Sequence, residues 1–206
     1  MKILNLYAGI GGNRLLWDGH EITAVEYNEQ IANEYKRRFP KDKIIITDAH
    51  QYLLDHLQDE WDFIWASPPC PSHSRINTDG QHPPRYPDMS LYQEIILLSN
   101  NWYKGKWVIE NVIPYYKPLI EPTIEIDRHI FWCNFKVNKL SVKPEKSIAS
   151  QTGTNGRFGF NLKNNPIKTD KRQVLRNLVN PEIGLYFLNR AQDIIIESNK
   201  EQLKLW

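Results

Sequence analysis

A cysteine and a glutamate stand at the ends of two predicted strands, where reactive side chains can meet. Residues 61–66 form a short aromatic and apolar run that is typical of a buried strand, and the proline pair before Cys70 ends it. Glu110 follows a second predicted strand at residues 106–109. Because open α/β sheets bind ligands at the carboxyl ends of their strands, both side chains are active-site candidates. The simpler alternative for Cys70 is a small apolar residue in a tight turn.

Three further features follow the first three predicted strands. Residues 7–12, Tyr-Ala-Gly-Ile-Gly-Gly, form a turn whose glycines let backbone amides approach a ligand closely. Glu26 ends the second strand and can accept hydrogen bonds from ribose hydroxyls. Asp48 follows the third strand and is well placed for an adenine amino group. A surface charge for Glu26 and a helix cap for Asp48 are the alternatives, but the three features together predict a nucleoside cofactor.

Strands and helices are predicted to alternate along the chain, which indicates an α/β fold. Arg128 lies between the last two strands, and Asn28 and Asn180 are placed as helix N-caps. The predicted strands are residues 2–7, 21–26, 43–46, 61–66, 106–109, 123–126 and 129–135. One predicted helix starts at residues 13–17, and the others span residues 28–38, 51–57, 90–102 and 180–198.

The composition is that of an ordinary globular protein with one well-packed domain. The chain has 206 residues, 41% hydrophobic and 24% charged. Its two cysteines, Cys70 and Cys133, have neither metal-site nor disulfide spacing, and Cys133 is most simply a core residue. The sequence shows no secretory signal and no apolar run of membrane length. We therefore expect a cytoplasmic, reduced, monomeric protein without a metal or a membrane partner.

Positive charge is concentrated in one segment. Residues 136–176 carry ten Lys/Arg and two acids, a net charge of +8, whereas the remainder carries 16 Lys/Arg and 22 acids, a net charge of −6. A basic segment on an otherwise acidic protein indicates a polyanionic partner. The alternative is a solvated, lysine-rich surface.

Four motifs in order resemble those of the cytosine carbon-5 DNA methyltransferases. They are Tyr-Ala-Gly-Ile-Gly-Gly at 7–12, Pro-Pro-Cys at 68–70, Glu-Asn-Val at 110–112 and Arg-Asn-Leu-Val at 176–179. The resemblance extends from about residue 5 to about residue 188. It implies a Rossmann-like, S-adenosylmethionine-dependent methyltransferase sheet with helices on both faces and a small basic insertion. The corresponding segments are 1–135 for catalysis and cofactor binding, 136–176 for target recognition, and 177–206 for a helix that returns to the catalytic domain.

The same resemblance implies roles for individual residues. Cys70 corresponds to the nucleophile and Glu110 to the acid that engages the base, and Arg128 is the candidate cation that would help to ionise Cys70. A structural ion pair of Arg128 with Asp127 or Glu125 is the alternative. The implied S-adenosylmethionine site consists of Tyr7, Ala8, Gly9, Ile10, Gly11, Gly12, Glu26, Asp48, Pro68, Asn177 and Val179.

The expected partner is duplex DNA with its target cytosine flipped out of the stack. The loop at 71–90 is the candidate for closing on that base, and His73 within it is more simply a loop residue than a base catalyst. The basic segment is the candidate for phosphate contacts. The residues expected to contact the nucleic acid are Ser74, Arg75, Arg85, Lys163, Lys168, Lys171 and Arg172.

Departures from the family pattern leave alternatives open for the substrate. Pro71 replaces the glutamine that follows the family's cysteine, residues 124–128 retain one arginine where the family has two, and Arg176 stands at a glycine position. The recognition region is also short, about forty residues. We expect cytosine-5 methylation of DNA. The alternatives are the same chemistry on tRNA or a free deoxycytidine nucleotide, and an inactive homologue that only binds cofactor or nucleic acid.

Overall fold

A seven-stranded mixed sheet forms the centre of the molecule. The computed structural model describes residues 1–78, 83, 85–100, 102–140, 142 and 156–193. Sheet order is β3-β2-β1-β4-β5-β7-β6, in which the first five strands are parallel and β7 is antiparallel to both β5 and β6. The strands are β1 (Lys2–Leu6), β2 (Glu21–Val25), β3 (Lys43–Ile45), β4 (Phe63–Ala66), β5 (Lys106–Val112), β6 (Ile124–Ile126) and β7 (His129–Cys133).

Five α-helices accompany the sheet in the described part of the chain. Asn28 caps the first by accepting from the N–H groups of Gln30 and Ile31, and Asn180 caps the last by accepting from Glu182, so both predicted N-caps are confirmed. The helices are α1 (Glu29–Arg38), α2 (Ala49–Asp55), α3 (Ser90–Ser99), α4 (Lys171–Arg176) and α5 (Pro181–Ala191).

The sheet separates two apolar cores because successive side chains of a strand point to opposite faces. On β1, Leu4 packs with residues of α2 and α3, whereas Ile3 packs with residues of α5. The α5 side is strongly aromatic: Phe187 lies against Trp65 and Phe131, with ring centroids 5.9 and 4.6 Å away. The predicted α/β sheet with helices on both faces is therefore correct.

The predicted helix after β1 is wrong, because residues 12–17 form successive turns. The N–H of Leu15 donates to the carbonyl of Gly12, and the N–H of Trp17 donates to that of Arg14. Helix α5 packs closely against this turn. A Cβ atom at Gly184 would stand 2.2 Å from the carbonyl oxygen of Asn13, so only glycine allows this approach.

Two other predicted helices end earlier than expected. Helix α3 ends at Ser99, before Trp102, whose side chain is 60% exposed. Helix α5 ends at Ala191, and the remainder of its predicted span, 194–198, lies outside the described residues. Among the described helices, none combines the length and the apolar character needed to cross a bilayer.

Residues 156–176, the longer of the described parts of the basic segment, pack against the body of the protein. Phe160, Leu162 and Ile167 share a buried cluster with Ile10 of the glycine-rich turn. The side-chain amide of Asn165 donates to Glu34 of α1 over 2.7 Å. This part of the segment therefore lies on α1 and beside the turn after β1.

Candidate active site

The lengths of β4 and β5 place Glu110 next to the loop that carries Cys70. Parallel pairing between the two strands ends at Ala66 and Ile109, but β5 continues to Val112 and pairs there with β7 alone. Glu110 is therefore inside β5, and its predicted position after the strand is corrected. It nevertheless lies one residue beyond the last pair with β4, at the predicted edge of the sheet.

Hydrogen bonds fix the loop on both sides of Cys70. Before it, the carbonyl of Pro68 accepts from the side-chain amide of Asn111 over 3.1 Å, and Asn111 is 1% exposed. After it, the Cys70 carbonyl accepts from the N–H groups of His73 and Ser74, each over 3.0 Å. The Cys70 side chain is half-buried in this turn and forms no disulfide. The thiol is thus held at a defined place at the end of β4.

Cys70, Glu110 and Arg128 influence one another electrostatically. Burial, and to a smaller extent the Glu110 carboxylate, raise the pKa of the Cys70 thiol to about 11, while the Arg128 guanidinium acts in the opposite direction. The thiol is therefore protonated at neutral pH in the absence of a substrate. The structure brings the three predicted catalytic residues together.

Glu110 is a buried acid poised to titrate near neutrality. It is 7% exposed, and burial raises its pKa to about 7 against the opposing effects of a hydrogen bond from Ser67 and the charge of Arg128. The Ser67 hydroxyl in turn accepts from the Trp65 indole N–H over 2.8 Å. His129 Nε2 lies 3.5 Å from Glu110 Oε1, but burial lowers the pKa of His129 to about 3, so this imidazole is neutral.

Arg128 also holds the end of α4. Its Nη2 donates to the carbonyl of Arg176 over 3.0 Å, and Arg157 Nη1 donates to the carbonyls of Leu175 and Arg176 over 3.0 and 2.7 Å. Cations at a helix C-terminus stabilise its unpaired carbonyl groups. Arg128 thus joins the active-site edge to α4, a contact that neither of its two predicted roles included.

Glu26 joins the glycine-rich turn to the start of α1. Its Oε2 accepts from the N–H of Gly9 and its Oε1 from the N–H of Asn28, both over 2.9 Å. Burial raises the pKa of Glu26, and these backbone hydrogen bonds lower it. The half-buried carboxylate is therefore more than a surface charge. A carboxylate has about four acceptor sites, so Glu26 retains acceptor capacity for a hydroxyl donor.

The remaining cofactor candidates lie around the same turn. Gly9 has φ +55°, and the position that a Cβ atom would take there is open space. At Gly12 a Cβ atom would stand 2.7 Å from the carbonyl oxygen of Val179, so the predicted Asn177–Val179 element lies directly beside the turn. The space at Gly9 is open, whereas Gly12 is packed against Val179. This arrangement fits a ligand bound on the Gly9 side of the turn.

Asp48 is the N-cap of α2, which is the alternative role left open for it. Its Oδ1 accepts from the N–H of Gln51 over 2.8 Å, while its Oδ2 makes no hydrogen bond within the described part of the chain. Two exposed apolar side chains stand beside the two acids: Tyr27, 78% exposed, follows Glu26, and Ile46, 50% exposed, precedes Asp48. Their exposure, which only the structure reveals, gives flat apolar surface next to two hydrogen-bond acceptors.

The candidate nucleic-acid residues fall into two separate groups. Ser74 pairs with Pro114, and Arg75 begins a short 3-10 helix, Arg75–Thr78, after the turn that carries Cys70. Arg85 is exposed, and its carbonyl accepts from the Tyr115 hydroxyl over 3.1 Å. The four basic candidates of the other group, all in the segment packed on α1, are Lys163, Lys168, Lys171 and Arg172.

Parts of the loop at 71–90 and of the basic segment lie outside the residues that the structure describes. Residues 79–82 and 84 of the loop at 71–90, and residues 141 and 143–155 of the basic segment, lie outside the described ranges. His73 is 1% exposed, and its Nδ1 lies 2.5 Å from the Tyr116 hydroxyl, so it is a packed residue of the loop. In the described chain, no cluster of three or more His, Cys, Asp or Glu side chains could hold a metal ion.

Sequence comparison finds a family model and a relative that match this chain. The family model for C-5 cytosine-specific DNA methylase matches residues 1–113, more than half of the chain. A tRNA (cytosine(38)-C(5))-methyltransferase from Spodoptera frugiperda is 36% identical over 81 residues, which cover 36% of this chain and 24% of that protein.

Solved structures of related enzymes match about half of the chain. A mutant of Spodoptera frugiperda DNMT2 has 28% identity and a TM-score of 0.38, and the match covers 54% of this chain and 35% of that one. Dnmt2 from S. pombe has 23% identity and a TM-score of 0.40 over 54% and 34% of the two chains. The chain thus spans about a quarter to a third of the length of these relatives. With a family match that contains both Cys70 and Glu110, the chain belongs to the C-5 cytosine-specific DNA methylases.

Proposed function

We propose that this protein transfers a methyl group from S-adenosylmethionine to carbon 5 of cytosine in DNA through a covalent adduct with Cys70. The observation that carries the proposal is the Cys70 thiol at the end of β4 beside a buried Glu110 whose pKa is raised to about 7. These are a nucleophile and an acid that is partly protonated at neutral pH, as the chemistry requires.

The two groups can activate the cytosine ring together. Carbon 5 of cytosine is a weak nucleophile until a thiolate adds to carbon 6, and Cys70 is the group placed to do this. Protonated Glu110 can donate to ring nitrogen 3 and stabilise the charge that develops there. Neutralising Glu110 also removes one of the charges that keep the Cys70 thiol protonated. Binding of the base to Glu110 would therefore favour the thiolate.

The acids and the glycine-rich turn fit S-adenosylmethionine. Glu26 can accept from ribose hydroxyls, Asp48 Oδ2 can accept from the adenine amino group, and Tyr27 offers an apolar surface to the purine. The turn, Pro68, Asn177 and Val179 form the other proposed contacts. S-adenosylmethionine, when bound, supplies the electrophilic methyl group that the activated carbon 5 takes up. Loss of the carbon-5 proton then allows Cys70 to leave.

The alternative substrate is tRNA, and a specific finding favours it. A relative 36% identical over 81 residues carries the name of a tRNA cytosine-5 methyltransferase. Either substrate is a polyanion that must present an unstacked cytosine, so the basic side chains fit both. An inactive homologue is a further alternative, since Pro71 replaces the family glutamine.

Side-by-side methylation assays test the proposal. The purified protein is incubated with radiolabelled S-adenosylmethionine and, separately, duplex DNA, tRNA and deoxycytidine monophosphate, and the methylated product is digested and identified. The proposal expects 5-methyldeoxycytidine from duplex DNA. Label in tRNA or in the mononucleotide alone would establish one of the alternative substrates. Binding of S-adenosylhomocysteine without transfer to any of the three would support the inactive homologue.

A further inference from the structure

A fully buried acid, Glu94 of α3, connects two parts of the proposed cofactor site. It is 0% exposed, and its Oε1 accepts a short hydrogen bond from the Tyr7 hydroxyl. The same oxygen lies 3.0 Å from His50 Nδ1. Its Oε2 has no hydrogen-bond partner among the described residues. Burying a carboxylate is costly unless its partners compensate, so these contacts require an explanation.

The Tyr7 contact holds the first residue of the glycine-rich turn. Tyr7 has φ +56°, a left-handed conformation that is unfavourable for a non-glycine residue and persists only when its surroundings impose it. The side chain of Tyr7 is anchored by Glu94, while the next N–H, that of Ala8, donates to Val25 over 2.9 Å. The turn is therefore fixed at its start by one side-chain contact and one backbone contact.

The His50 contact holds the other acid of the site. His50 lies in the first turn of α2, two residues after Asp48, the N-cap that we propose accepts from adenine. The hydrogen bond to Glu94 raises the pKa of His50 against the effect of its partial burial, and Asp48 and Asp88 add to the rise. Burial raises the pKa of Glu94, while His50 and Tyr7 lower it. Glu94 thus ties α2 and the turn after β1 to one point on α3.

We propose that Glu94 is a positioning residue for the cofactor site, which holds Tyr7 and His50 so that the glycine-rich turn and Asp48 face the same ligand. The inference rests on the proposed binding of S-adenosylmethionine at this turn. In our proposal Glu94 touches neither the reacting atoms nor the cofactor itself, so it acts through its two partners, Tyr7 and His50. Its loss should therefore weaken cofactor affinity more than it slows methyl transfer at saturating cofactor.

Calorimetry with S-adenosylhomocysteine tests this role without requiring turnover. Glu94→Gln keeps the shape of the side chain but replaces charge-assisted hydrogen bonds by neutral ones, and we expect affinity to fall by about tenfold. Tyr7→Phe removes one partner and should have a similar effect. Both changes break the same contact, so their effects should not be independent. The loss of affinity in the double variant should therefore be smaller than the two single fold-losses multiplied together. If Glu94→Gln fails to fold, His50→Ala keeps the test decisive, because it removes the other partner of Glu94 and is not itself a proposed cofactor contact.

Glu34→Gln is the matched control. Glu34 is a buried glutamate on α1 with arginine partners, Arg37 and Arg38, and without contact to Tyr7 or His50. It should lower the unfolding temperature but leave S-adenosylhomocysteine affinity within about twofold of the parent. The same affinity in Glu94→Gln and Tyr7→Phe as in the parent would overturn the inference. So would an equal loss in the Glu34 control. Absence of binding by the parent protein would instead overturn the proposed function.

Discussion

At the residue scale, the electrostatics of Cys70 and Glu110 oppose each other until a substrate arrives. Burial and the charge of Glu110 keep the thiol protonated, with a pKa raised to about 11, whereas Glu110 itself titrates near 7. A base that takes a hydrogen bond from Glu110 removes the negative charge facing the thiol. In the proposed mechanism the pair is therefore coupled through the substrate, and its two members should respond differently to substitution.

Cys70→Ser should abolish methyl transfer while preserving cofactor binding. A serine hydroxyl is a far weaker nucleophile than a thiolate, and we expect turnover to fall by roughly 10³-fold or more. Cys133→Ser is the matched control, since Cys133 is half-buried at the end of β7, away from this edge of the sheet. Turnover is measured with labelled S-adenosylmethionine and binding by calorimetry. Substantial turnover by Cys70→Ser would contradict the covalent mechanism.

Glu110→Gln should change how stability depends on pH. Because the pKa of Glu110 is raised from 4.5 to about 7, the folded protein holds more protons than the unfolded chain between those values. The contribution of Glu110 to the unfolding free energy therefore falls as pH rises through this window, by up to about 3 kcal/mol. Glutamine does not titrate, so the parent should lose stability relative to the variant over this range.

Urea unfolding of both proteins at intervals from pH 4 to 8 measures this difference. His129, whose pKa is lowered to about 3, is present in both proteins and contributes with the opposite sign, so its effect rises with pH where that of Glu110 falls. A difference in unfolding free energy that does not vary with pH would show that Glu110 keeps an ordinary pKa in the folded protein.

At the element scale, Asp48 serves α2 and, in our proposal, the cofactor. Asp48→Ala should lose the cap, at about 1 kcal/mol of stability, and weaken cofactor binding by roughly 1–3 kcal/mol. Asp48→Asn separates the two roles, because asparagine caps helices as well as aspartate but would turn an amide N–H₂ toward the adenine amino group. We expect Asp48→Asn to unfold like the parent and to bind S-adenosylhomocysteine as weakly as Asp48→Ala. Parental affinity in Asp48→Asn would leave Asp48 as a cap only.

Sequence patterns predicted the strands well because buried parallel strands appear as short apolar runs. The N-caps Asn28 and Asn180 were also predictable, since their side chains act on backbone groups two or three residues away. Where a strand ends depends on its partner, and for this reason Glu110 falls inside β5 although its position relative to β4 was correctly anticipated. The turns at 12–17 depend on packing against α5, which no local pattern shows.

Site residues whose role depends on distant contacts were missed. Ser67 is hydrogen-bonded to Glu110, His129 lies beside it, and Glu94 joins Tyr7 to His50, over separations in sequence of 19 to 87 residues. One signal for Glu94 was available: it is a single acid among the apolar residues of the buried face of α3, three residues after Leu91. A charged side chain on a buried helix face requires partners, but its sequence position does not identify them.

At the scale of the whole molecule, the basic residues at 156–176 give one side of an otherwise acidic protein a positive surface. If five cations meet phosphates, log K for duplex DNA should fall with log salt concentration at a slope of roughly −4 to −5. Alanine at four positions should flatten this slope by up to about three units, with cofactor affinity unchanged. The four positions are Lys163, Lys168, Lys171 and Arg172.

Filter binding at several salt concentrations measures the slope. Alanine at three exposed lysines on other elements, Lys41, Lys43 and Lys104, is the matched control and should leave it unchanged. A slope that stays the same in the quadruple variant would move the binding surface elsewhere, with Arg75 and Arg85 as the next residues to test.

The packing of α5 on the aromatic face of the sheet has a consequence for folding during synthesis. Trp65 and Phe131 of the sheet are covered by Phe187, which leaves the ribosome long after the five parallel strands have been synthesised. Until then an aromatic face of the nascent sheet lacks its cover, a state prone to aggregation or chaperone capture. Although residues 1–113 carry both the proposed nucleophile and the proposed acid, we expect them to acquire a stable fold only when 181–191 are joined to them.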